Sequence, residues 1–255
     1  MNISANTWAK YVKALSKVNT EATSKLAEYL ERGFDYNNPE DMRKLVSYAY
    51  GISTKYGEAA AELACQMYDA VGLASGLLLE PAIPAEVATF DEVAKTVYGT
   101  AKTSKNTEEM SSAVGRLVKR TGQDTTLKNA LRDGAQFAWI PSGDTCAFCI
   151  TLASNGWQYA SKGAIKGGHA EHIHSNCDCA YAIRFDESTQ VKGYDPKVYK
   201  EQYDSAEGNT SKEKINSMRR RYYEENREEI LSQKASAYAK RMELNSSAAE
   251  ETKVD

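Results

Sequence analysis

Cys146-Ala147-Phe148-Cys149, followed by His172, His174, Cys177 and Cys179, is the stretch on which the reading of this chain turns. Four of the chain's five cysteines and all three of its histidines fall between Cys146 and Cys179. The first pair is a CxxC, the later cluster an HxHxxCxC, and the Gly-rich connector 163–168 separates them. A zinc ion takes four soft or borderline donors in a tetrahedron, and two short chelating turns brought together supply them. The competing readings are a disulfide-bonded loop and a chance cluster of reduced thiols. Counting alone does not say which four donors bind. The expected set is Cys146, Cys149 and His174 with Cys177 or Cys179, Cys177 first. His172 and His169 are expected at the surface or behind the ligands, because a closed site takes only four.

On either side of this cluster the sequence alternates like strand. Gln136 to Ile140 is aromatic and β-branched, with a turn at Pro141-Ser142-Gly143. Trp157 to Tyr159 and Ala180 to Phe185 are further strand candidates. The centre therefore reads as a small sheet whose turns carry the ligands.

Upstream, the pattern changes to helix. Trp8, Tyr11, Val12, Leu15, Val18, Ala22, Leu26, Tyr29 and Leu30 recur at three- and four-residue steps, and Gly33 stops the run. Asn38 then Pro39, with Glu40 and Asp41 behind them, is a helix start. That helix runs on through an Ala-rich segment to Gly72, with Gly57 as its weak point. Cys65 lies in the Ala-rich run and reads as a small core residue. Pro81 and Pro84 mark a surface loop. A helix from about Asp91 follows, then one from Glu108 to Arg120 ended by Gly122, then a short one from Thr125 to Asp133. Beyond Asp186, Asp195-Pro196 opens a helix and Ser211 opens a long one to about Leu244. That last helix has Ile215, Met218 and Tyr222 on one face and Arg219, Arg220 and Arg221 beside them. Residues 245–255 are Ser, Ala and Glu with little else, a disordered composition.

The fold class expected is α+β, predominantly α. Residues 1–133 form a helical body, 134–186 the zinc-stapled β region, 187–244 a mobile helical tail and 245–255 a disordered end. At 255 residues the chain can bury a real core. Its net charge of -3 gives no general drive toward nucleic acid. Residues 2–8 are polar and Leu77 to Leu79 is too short to span a bilayer, so no membrane role is expected. A reducing cytosol follows from that reading, and it favours metal over disulfide.

Two enzyme classes share these residue types. His169-Ala170-Glu171 matches the HxE of zinc nucleobase deaminases, but there CxxC follows HxE, whereas here it precedes it. An HNH-type nuclease would need a paired His-Asn arrangement that the sequence does not display. A closed Cys/His site has no open position for Lewis-acid work, so no catalytic residue is expected.

Asp133-Gly134, Trp139 to Cys149, Leu152 to Gly156, Tyr159 and His174 to Cys179 together resemble the minor head proteins of tailed bacteriophages, the MuF-like head-morphogenesis family. The run Tyr56 to Ala64 with Met67, Tyr68 and Asp69 resembles the helical region of the Gram-positive-phage members. The resemblance covers roughly residues 40–185. It implies a low-copy structural protein of the phage head interior, assembled in the host cytoplasm, with the portal or major capsid protein as partner and packaged double-stranded DNA as a second one. The tail beyond Asp186 is outside that pattern. A zinc-dependent nuclease and a zinc-knuckle nucleic-acid-binding adaptor are the readings it competes with.

Overall fold

The computed structural model describes residues 2–142, 145–161, 177–236 and 238–239. Four long helices form the body: α1 (Ala5–Leu30), α2 (Pro39–Ala74), α3 (Phe90–Thr103) and α4 (Thr107–Asp133). The start of α2 is the expected one. The Asn38 side chain caps α2 with Pro39 in the first turn, and Thr89 with Glu92 closes a capping box on α3. Ala22, Leu26, Leu45, Ala49, Val93, Val97, Met110 and Val114 interlock as the bundle core. Leu15, Val18 and Tyr29 are only partly buried around it.

One expectation for the body is corrected. The chain does not stop at Gly122, since α4 is one helix from Thr107 to Asp133. A Cβ at Gly122 would lie 3.2 Å from the Ala60 carbonyl oxygen and 3.4 Å from its Cβ. Gly122 is therefore a contact point between α2 and α4 rather than a helix end, and the true end is Gly134, left-handed at φ 68. The helix expected to run on to Gly72 does so, and α2 passes Gly57 without a break over its 36 residues.

At one end of the bundle sits a three-stranded antiparallel sheet, in the order β3-β2-β4 by position. Its members are β2 (Gln136–Ile140), β3 (Gln158–Tyr159) and β4 (Ala180–Arg184), with Phe137 opposite Ile183 and Trp139 opposite Tyr181. Trp139 and Tyr181 meet edge to face at 4.7 Å. A second core joins this sheet to Trp8, Tyr11 and Val12 of α1, Tyr68 and Val71 of α2, and Leu127 and Ala130 of α4. A separate two-stranded parallel pair links the chain start, β1 (Asn2–Ile3), to β5 (Gln190–Val191), which the sequence reading did not anticipate.

The turn expected at the CxxC is instead the first turn of a short helix, α5 (Ala147–Ala153). Beyond the sheet, α6 (Pro196–Asp204) and α7 (Ser211–Glu225) pack against α5 rather than standing free. Met218 is buried with Ala147 and Ala206, and Ile215 is half-buried beside them, while Tyr222 on the expected apolar face is exposed. The single long helix is interrupted at Asn226, followed by a helical run over 227–236. Residues 245–255 lie outside the described residues.

Candidate metal centre

Three of the predicted ligands meet. The Sγ atoms of Cys149, Cys177 and Cys179 all lie within 4.8 Å of one another. Cys149 comes from the first turn of α5, and Cys177 and Cys179 from the extended segment entering β4. A tetrahedral zinc with bonds near 2.3 Å spaces its sulfurs at about 3.8 Å, so this grouping has the right dimension for a metal ion. The Cys149 and Cys177 sulfurs stand 3.2 Å apart, too far for a disulfide, and none of the five cysteines is disulfide-bonded. The disulfide reading of the cluster is therefore set aside.

Cys146 is not in this mutual set. It occupies the N-cap of α5, where its Sγ accepts the backbone N–H of Cys149 at 3.5 Å. Cys179 Sγ likewise accepts the N–H of Ser142 at 3.4 Å. Amide donors aimed at sulfur stabilise thiolate over thiol, the arrangement a bound cation needs around it. His174, His172 and His169 lie outside the described residues, as do Glu171 and the connector 163–168. Cys65 is buried in α2, as expected, and burial pushes its thiol up to about 11.

The three close thiols compete for protons. Hydrogen bonding from Cys149, then from Cys179, draws the Cys177 thiol down, while hydrogen bonding with Cys146, then with Cys177, pushes Cys149 up. The protons are therefore shared unevenly, with Cys177 the sulfur most inclined toward thiolate. Facing it is Lys119 of α4, whose Nζ donates to the Cys177 carbonyl at 2.5 Å. Burial holds Lys119 below the ordinary lysine value, against the opposing pull of Asp178, Cys177, Cys179 and Cys149. One helical turn on, the Gln123 side chain accepts the N–H of Tyr181 at 3.0 Å. These two α4 residues were missed in the sequence. They stand 58 positions from their partners, and no local spacing could flag them.

A profile of the VG15 protein family matches residues 2–206. The chain belongs to the VG15 protein family. VG15 is a phage or viral gene-15 family, so the match points to a phage protein. The matched span holds the whole Cys window and runs past Asp186 to take in α6, so the family pattern reaches further at both ends than the 40–185 resemblance. The α7 helix lies beyond it. No curated protein and no solved structure matches the chain. Among the described residues no helix is long and apolar enough to cross a membrane.

Proposed function

We propose that this VG15 protein is a minor structural component of a tailed-phage head, of the MuF-like head-morphogenesis type, acting in head assembly, DNA packaging or DNA delivery. The observation that supports it most is the family match, which spans the helical body and the Cys cluster together. A part that must hold its shape through assembly is served by a metal staple between α5 and the segment that enters the sheet at β4. Zinc is the proposed ion, because the grouped donors are free cysteine thiols, none of them disulfide-bonded. Cys149, Cys177 and Cys179 would be three of its ligands, with Cys146 or His174 completing the tetrahedron. The ion would supply rigidity, and we assign it no catalytic step.

The proposed location is the head interior, against the portal or the major capsid protein, with packaged DNA second. Arg219, Arg220 and Arg221 are exposed on α7 and suit phosphate or an acidic protein surface. The nearby Glu224, Glu225, Glu228 and Glu229 would repel a DNA backbone, which ranks protein contact first. Mass spectrometry of purified phage particles tests the assignment. A few copies per particle are expected; absence from particles made by an infected host refutes it. A tail shortened after Ala206 keeps Val191 and Tyr194 in the sheet core and is expected to lower incorporation.

A further inference from the structure

We propose that Lys119 is a positioning residue for the metal centre: its ammonium, carried on α4, offsets the thiolate charge and fixes the arm that bears Cys177 and Cys179. The proposal rests on the metal reading above and goes beyond it, to a residue far from the motif.

The geometry is specific. Lys119 and Gln123 are four apart on α4 and so share one face. Lys119 donates to the Cys177 carbonyl, and Gln123 accepts from the Tyr181 N–H. The segment from Cys177 to Tyr181 is thus pinned at both ends by a single helix of the body. Fixing the Cys177 peptide fixes the direction of its Cα–Cβ bond, and with it where Sγ can sit. Cys179, between the two pins, is only 3% exposed.

The charge arithmetic points the same way. Three thiolates around a divalent cation leave one net negative charge, a neutral histidine as fourth ligand keeps it at one, and a fourth cysteine makes it two. Lys119 is half-buried and lines a small cavity with Val12, Leu15 and Val118 on one side and Cys177, Asp178 and Cys179 on the other. A cation at that place offsets the excess where water screens it poorly. Lys128, further along the same helix, is exposed and cannot substitute.

Zinc retention tests this. Full-length protein loaded with zinc alone is titrated with a chromophoric chelator, comparing wild type, Lys119→Met, Lys119→Gln, Lys119→Arg and Lys128→Met. Residues behind metal ligands typically change affinity by about 10- to 100-fold. Lys119→Met and Lys119→Gln are expected to lose zinc that much more readily, Lys119→Arg to recover most of the loss, and Lys128→Met to match wild type. The thermal shift between zinc-loaded and zinc-free forms should shrink in parallel, a difference that a general packing defect would not produce. A wild type that binds zinc tightly, with Lys119→Met and Lys119→Gln equally tight, overturns the role of Lys119 alone. A wild type with no tight zinc overturns the metal reading and this inference together. If Lys119→Met does not fold, Lys119→Gln, which keeps a donor for the Cys177 carbonyl, decides the question of charge.

Discussion

Gly122→Ala is the sharpest test of how the helical body is built. In an isolated helix, alanine in place of an interior glycine is favourable by about 1 kcal/mol, because the glycine backbone loses more freedom on folding. At Gly122 the new methyl would lie 3.2 Å from the Ala60 carbonyl oxygen and 3.4 Å from the Ala60 Cβ. Ala60 is 2% exposed in the interior of α2, and its backbone is held by that helix on both sides. No flexible side chain can swing aside, so α2 and α4 must part by a few tenths of an ångström along their shared face. Overpacking of this kind costs about 1–3 kcal/mol, which outweighs the propensity gain and leaves a net loss near 1 kcal/mol. Gly51 supplies the control. It is an exposed interior residue of α2 with nothing within 4 Å of a built Cβ, so Gly51→Ala should stabilise by about 1 kcal/mol. Urea unfolding followed by far-ultraviolet circular dichroism measures both, with the midpoints compared at constant slope. The two variants should move in opposite directions. If Gly122→Ala stabilises as much as Gly51→Ala, the close approach of α2 and α4 at this point is wrong.

Elemental analysis of protein purified without added metal should find about one zinc per chain. Chelation should then leave the helical signal of α1 to α4 largely intact while amide protection falls in β2 and β4, since only the sheet end is stapled; loss of the whole helical signal would show that the metal organises the bundle as well. Asp133 gives a pH prediction. Its carboxylate accepts from Arg132 at 2.7 Å and from the Tyr68 hydroxyl at 2.9 Å, and the Arg132 hydrogen bond chiefly holds it below the ordinary carboxylate value. A depressed carboxyl contributes stability above its unfolded pKa, near 3.9, and loses it as pH falls through the folded value. The stability gap between wild type and Asp133→Asn should be full above about pH 5 and close below that range; a gap independent of pH would mean the ion pair adds nothing.

Much of this protein is legible without coordinates, for a physical reason. Helix starts are local events: Asn38 with Pro39 satisfies its own first-turn amides within four residues, so the sequence states that start outright. The same holds for the strand at Gln136 to Ile140, whose aromatic and β-branched run is buried from Phe137 on, and for the CxxC, whose chelating spacing is its own signal. Gly122 was misread because a glycine looks the same in sequence whether it ends a helix or lets a second helix touch it. Only the position of Ala60, 62 residues upstream, decides which. The packing of α6 and α7 onto α5 was hidden likewise, since the alanines that receive Met218 carry no pattern of their own. At the metal centre, residue types and spacing named the cysteines. Which sulfurs meet, and that Lys119 and Gln123 hold them from another helix, are consequences of where α4 lies against the sheet, and that is set by the packing of the two cores rather than by any run of neighbouring residues.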